Sequence, residues 1–139
     1  MFSGVTSLKG ESANWAWDTS NVKYTDTMFV RASNFNQNIG SWDMSNVESM
    51  TRMFNDAAAF NNGGSSSISA WNTAKATSME GVFWGAKAFN QPVGSWNVSN
   101  ANHAVADEDA GVAEAVVVGD LQGCRLLPVY ALCAFTGGW

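Results

Sequence analysis

Polar side chains that could bind a ligand recur at one position of a repeated pattern. Asp18, Asp43, Asn72 and Asn97 each follow a tryptophan directly. On strands stacked about 4.8 Å apart, these four side chains would form a row on the outer face. Their oxygens could bind a polar ligand, or a cation weakly through the two aspartates. The same side chains could instead cap turns on a solvated face, so both interpretations stand.

Trp84 is the second candidate for a binding role. It lies next to Phe83, which belongs to an apolar column of the repeat, while Trp84 itself falls outside that column. An exposed tryptophan on a polar surface can anchor a protein partner or a sugar. The alternative is packing against the segment 62–67 or a neighbouring copy. A contiguous exposed patch with Trp84 favours binding, and complete burial favours a spacer.

The sequence contains little that indicates catalysis or metal binding. The sequence has no Ser-His-Asp set, no phosphate-binding loop and no carboxylates paired in a cleft, and we therefore expect no enzyme activity. His103, Cys124 and Cys133 match no zinc or redox spacing, so we expect neither a metal centre nor a cofactor. The acidic run 107–109 is typical of a helix start or a solvated patch. Asn97-Val98-Ser99 matches the N-glycosylation acceptor pattern, which matters only in a secreted eukaryotic protein.

Composition limits the remaining classes. The chain has 139 residues, 46% of them hydrophobic, which is enough for one domain with a core. Its net charge of −5 includes no basic stripe, so nucleic acid is not expected as a partner. The most apolar segment, Leu121–Phe135, is too short to span a bilayer. The first residues lack the basic start and apolar run of a signal peptide.

A repeat explains the recurring residues. Trp17, Trp42, Trp71 and Trp96 are separated by 25, 29 and 25 positions, and the four extra residues fall in the Gly/Ser-rich segment 61–69. This segment is predicted to be a surface insertion. The predicted organisation is a partial copy (1–16), copy one (17–41), copy two (42–70), copy three (71–95) and the start of another (96–100).

The spacing within a copy predicts its structure. Met28, Ala32 and Phe35 follow the i, i+4, i+7 pattern of a helix, and Trp42 and Met44 alternate with polar residues as in a strand. The predicted fold class is therefore α/β, a short leucine-rich-repeat-like solenoid with one short strand and one short helix per repeat of roughly 25 residues. Like aromatic residues should stack between copies. The asparagines that follow the helix phenylalanine should form a hydrogen-bond ladder: Asn36, Asn61 and Asn90.

The wording of the repeat, "WDTSNV…MF..A..FNQNIGSWDMSNV…MF..A..FN", resembles the BspA-like leucine-rich repeat surface proteins, also catalogued as a lipoprotein repeat of unknown function. The resemblance covers residues 1–100, although copy three departs with "NTAKA" and with Val82 in place of methionine. It implies a non-enzymatic protein at the cell surface or outside the cell. It also implies a role in adhesion, with extracellular proteins or glycans as partners.

The pattern ends after Asn100. In a further copy, Asp107 and Glu108 would occupy the buried Met-Phe columns, where two carboxylates would cost several kcal/mol. The non-repeat tail 101–139 is either a helical cap over the last copy or an unrelated, spurious segment. Two functions therefore compete: an adhesion-like binding module, or a structural spacer cut from a longer array.

Overall fold

The computed structural model describes residues 2–6 and 15–101. Its regular elements are two short 3-10 helices, Asn62–Gly64 and Ser66–Ala70, and two isolated parallel bridges, Tyr24 to Ser49 and Ser49 to Ser78. The described residues contain no α-helix and no strand. The predicted α/β solenoid of one strand and one helix per repeat is therefore wrong. The predicted helix of the tail and its acidic run lie outside the described residues.

Left-handed residues explain why no helix forms at the Met-Phe segment. Backbone φ is positive at two columns four residues apart in every copy, whereas an α-helix needs φ near −63° throughout. The side chains that share these columns differ widely, which hid the pattern in the sequence. The residues are Thr27, Arg52 and Gly81 in the first column and Arg31, Asp56 and Gly85 in the second.

The hydrogen bonds of this segment alternate in direction. Phe29 N–H donates to the Met53 carbonyl of the next copy at 2.8 Å, and Phe54 N–H donates to that of Val82 at 2.8 Å. The intervening Val30 N–H donates within its own copy, to the Thr27 carbonyl at 3.2 Å. Buried backbone groups must be paired, and here half of the donors are paired by the neighbouring copy. The i to i−4 bonds of a helix are therefore replaced by bonds between copies.

The predicted strand at the tryptophan is also absent, although its burial pattern is present. Trp42 and Met44 are buried and Asp43 is exposed. Their backbone nevertheless follows turns, since Trp42 N–H donates to the Ile39 carbonyl and Val47 N–H to the Met44 carbonyl, both at 3.0 Å. A period of two in burial fits any backbone that alternates sides, so it does not require a strand.

Two columns of phenylalanine rings form the centre of the core, and every ring in them from copies one to three is fully buried. The two phenylalanines of a copy also stack on each other, with centroids 3.8 Å apart in copy two. Like residues in successive copies stack nearly parallel, as predicted, at centroid distances of 5.4 to 5.8 Å. The columns are Phe29, Phe54 and Phe83, extended by Phe2, and Phe35, Phe60 and Phe89.

The asparagine ladder and the insertion 61–69 also join the copies, in the segments that follow the second phenylalanine of each copy. Asn36 Oδ1 accepts from the N–H of Asn61 at 2.8 Å, and Asn61 Oδ1 accepts from that of Asn90 at 2.8 Å, which confirms the predicted ladder. The insertion is more than a surface loop. Asn62 within it is fully buried, and its Oδ1 accepts from Ile39 N–H at 2.9 Å. The extra residues therefore pair backbone groups of the preceding copy.

Thr27→Gly should stabilise the protein. A β-branched residue at φ 53° is strained by about 1–3 kcal/mol, and copy three already has Gly81 in this column. Since glycine costs about 0.5–1 kcal/mol in backbone entropy, the expected gain in unfolding free energy is up to about 2.5 kcal/mol. Urea denaturation measures it. Val30→Gly, at a residue without positive φ, is the control and should destabilise. A loss of stability in Thr27→Gly would contradict the assigned backbone.

Phe54→Ala should cost about 3–5 kcal/mol of unfolding free energy, because the ring stacks on neighbours in both adjacent copies. Trp84→Ala, at a half-exposed ring, should stay within about 0.5 kcal/mol of the wild type. Chemical denaturation compares the two, and Phe54→Leu supplies a milder loss if the alanine variant does not fold. Equal costs at Phe54 and Trp84 would contradict the central position of the phenylalanine column.

Candidate functional site

The polar row identified in the sequence lies in a series of identical turns. In each copy the side-chain oxygen of the row residue accepts a hydrogen bond from the backbone N–H two residues later, at 2.9 to 3.1 Å. Aspartate and asparagine commonly close turns in this way. One oxygen of each side chain is therefore already used by the fold. The four residues are exposed: Asp18, Asp43, Asn72 and Asn97.

The two carboxylates of the row titrate below their usual range. The Ser20 hydroxyl, followed by its N–H, holds the pKa of Asp18 below its ordinary value. Hydrogen bonds from the Ser45 side chain and N–H do the same for the pKa of Asp43, whereas the nearby charge of Asp18 works in the opposite direction. The turns that hold Asp18 and Asp43 are also linked directly, because the Thr19 hydroxyl donates to the Asp43 carbonyl at 3.1 Å. Asn97 also accepts from the Ser99 hydroxyl at 2.7 Å.

Trp84 belongs to a different part of the repeat and is 44% exposed. Its carbonyl accepts from Asp56 N–H at 2.6 Å and from Asn55 Nδ2 at 3.0 Å, which ties it to copy two. A Cβ placed on Gly81 would lie 3.7 Å from Trp84 Cε3 and 3.4 Å from Arg52 Cγ. The indole and the Arg52 stem therefore approach the same glycine. The remaining surface of the ring faces solvent.

Charged side chains complete this exposed region, which we call the Trp84 surface: Arg52, Asn55, Asp56, Glu80 and Trp84. Arg52 Nη2 and Glu80 Oε1 form an ion pair 2.9 Å long. Arg31 Nε lies 3.9 Å from Asp56 Oδ2 at its edge. Each pair joins one copy to the next, and exposed pairs of this kind add little stability. Arg52 lies against Gly81 and Asp56 lies against Gly85, so these two side chains approach the segment that carries Trp84.

Sequence reasoning identified Trp84 but missed the residues around it. Asn55 occupies the column of Trp84 one copy earlier, and Arg52 occupies that of Gly81. Reading these columns across copies could have predicted the neighbours. Trp17 is 43% exposed, although the tryptophans of the same column in the later copies are buried, and Trp15 is buried instead. Tyr24 is also exposed, and its hydroxyl donates to Glu48 at 3.3 Å.

Within residues 2–6 and 15–101, no group of three or more His, Cys, Asp or Glu side chains is placed to hold a metal ion. None of the helices in this described part of the chain is long and apolar enough to cross a membrane.

Comparison with known protein families gives one match. Residues 1–109 match the family described as "Mycoplasma protein of unknown function, DUF285". The match includes all three copies and most of the chain, and it points to a repeat-type surface protein. It does not specifically identify the BspA-like leucine-rich repeat family that the sequence resembles. No curated protein and no solved structure matches the chain.

Asp43→Asn should preserve its turn and Asp43→Ala should weaken it, because Asn72 and Asn97 make the same bond with an amide oxygen. The lowered pKa of Asp43 means that its carboxylate stabilises the fold above the ordinary aspartate pKa of about 4. This stabilisation is lost as the pH falls through the lowered folded-state value.

Urea denaturation between about pH 2 and 7 tests this assignment. Asp43→Ala should lower the midpoint at neutral pH, whereas Asp43→Asn should stay near wild type there and lose less stability in acid. An asparagine variant as unstable as the alanine variant would contradict the turn-closing role.

Proposed function

We propose that this chain, which belongs to the family described as Mycoplasma protein of unknown function, DUF285, is a surface-displayed, non-enzymatic module that binds an extracellular protein or glycan through its Trp84 surface. The observation that carries the proposal is the 44% exposure of Trp84, whose indole lies near the ion-paired Arg52. Display at the cell surface or outside the cell is supported by the family match and by the resemblance to BspA-like repeats. The latter resemblance also suggests adhesion.

The core gains little from the Trp84 ring, which supports a binding role. Trp84 is not part of the buried cluster, whereas the adjacent Phe83 is fully buried and stacks on Phe54 and Phe89. In the other copies the same column holds Val30 and Asn55, both half-buried. A large aromatic side chain exposed where smaller residues suffice is a common feature of binding surfaces, in which tryptophan is enriched.

A structural spacer is the competing function, and one observation favours it. The copies are joined by ring columns, backbone bonds and ion pairs that belong to the chain itself. Side-chain oxygens of the polar row also accept hydrogen bonds from the backbone of their own turns. A spacer would nevertheless have no use for an exposed indole in copy three.

Screening the whole chain on immobilised extracellular-matrix proteins and glycans separates these functions. A binding module should show saturable binding that Trp84→Ala weakens by about tenfold or more, equivalent to about 1.4 kcal/mol. Trp17→Ala is the matched control because Trp17 is 43% exposed, and it should bind like the wild type. Absence of saturable binding, or equal losses in the two variants, would favour the spacer.

A further inference from the structure

The backbone of Trp84 is held by three hydrogen bonds. Its backbone N–H donates to the Gly81 carbonyl at 3.1 Å, and its carbonyl accepts from two groups of copy two. Gly81, at φ 60°, has no side chain to push the ring outward, so the ring lies beside it and near the Arg52 stem. Because this backbone is already ordered, a ligand that stacks on the exposed ring does not have to order it.

The groups around the ring suit hydroxyl ligands. Arg52, Asn55, Asp56 and Glu80 supply one guanidinium, one amide and two carboxylates, all planar groups that can bond two adjacent oxygens or hydroxyls. Arg52 uses Nη2 for Glu80, which leaves its other N–H groups as donors. Asn55 donates its Nδ2 to the Trp84 carbonyl, and the amide oxygen of the same group is an acceptor. The surface therefore offers both donors and acceptors within one patch.

Charge at this patch is balanced. Within the Trp84 surface Arg52 offsets Glu80, and Arg31 at the edge of this surface offsets Asp56, in two ion pairs. A strongly charged ligand would gain little attraction from a neutral patch. The chain as a whole has a net charge of −5, which disfavours acidic ligands further. The ligand that fits best is uncharged.

The extent of the aromatic surface distinguishes a sugar from a protein. Stable protein interfaces bury about 800 Å² on each partner around clustered apolar anchors. Within residues 2–6 and 15–101, the other large exposed hydrophobic residues are Trp17 and Tyr24, both in copy one, whereas Trp84 is in copy three. Trp84 is thus one ring in a polar surround. A pyranose has the matching form, with a C–H face that stacks on one indole and hydroxyls around its rim.

Resting on the proposed binding function, we propose that the Trp84 surface is a saccharide site that takes an uncharged pyranose unit of a glycan. The sugar's C–H face stacks on the Trp84 indole, and its hydroxyls bond to Arg52, Asn55, Asp56 and Glu80. Binding of one such unit is weak, and adhesion would come from repeated units on the glycan.

The test titrates the whole chain with uncharged oligosaccharides (cellotetraose, chitotetraose and mannotetraose) and with a heparin-derived tetrasaccharide as the charged control. Binding is followed by the indole N–H signals in nitrogen–proton spectra, with the Trp84 signal assigned from Trp84→Phe. Concentrations reach the order of 10 mM, since millimolar dissociation constants correspond to only about 4 kcal/mol. Melting curves show that each variant is folded.

The expected result is saturable binding of at least one uncharged oligosaccharide, with shifts centred on the Trp84 signal. Trp84→Ala should weaken it at least about tenfold and Trp84→Phe by less, because a phenyl ring keeps part of the stacking surface. Trp17→Ala should leave it unchanged.

Two results would overturn the saccharide site: no uncharged oligosaccharide binds, or Trp84→Ala binds as tightly as the wild type. If in the first case a matrix protein binds in a Trp84-dependent manner, the binding function stands with a protein partner. If no saturable binding of any kind occurs, both proposals fail together. Tighter binding of the heparin fragment than of every uncharged sugar would also overturn the proposed ligand class.

Discussion

Stacking between equivalent residues of successive copies is the constraint on which the rest of this structure depends. The phenylalanine rings repeat at centroid distances of 5.4 to 5.8 Å along both columns. The backbone N–H groups of Phe29 and Phe54 donate to carbonyls of the next copy, both at 2.8 Å. Neither set can form within one copy, because one copy holds only two of these rings and leaves alternate backbone donors without a partner of its own. Stability therefore comes from the neighbours, as in other repeat proteins.

The same constraint determines which residues are available for function. The columns that face the core hold aromatic and other apolar residues. The column of Asp43 and Asn72 holds Asp or Asn, whose side-chain oxygen closes a turn. Residue type can vary freely only in columns that neither pack in the core nor close a turn. The column of Val30, Asn55 and Trp84 is one of them, and copy three places an indole there. The Trp84 surface is therefore a local feature added to a scaffold that does not need it.

Particular residues show how far the sequence could be read. Repetition of phenylalanine at fixed offsets predicted the ring columns, and Asn36, Asn61 and Asn90 predicted the ladder, because stacked copies must place like residues together. The helix prediction failed at Thr27 and Arg31, whose positive φ has no signal in residue type outside the glycines of copy three. The strand prediction failed at Trp42, where alternation in burial occurs in a chain of turns.

The sequence by itself determined the repeat and its core columns, because composition and spacing define which residues can share one environment. It also identified Trp84 as a large aromatic residue outside those columns. Only the tertiary structure decided the backbone path and the surroundings of Trp84. The backbone path depends on whether each N–H bonds within its copy or to the next, which is a choice between distant partners. Arg52, Asn55 and Asp56 likewise come from the preceding copy, so only the stacking of copies brings them to Trp84.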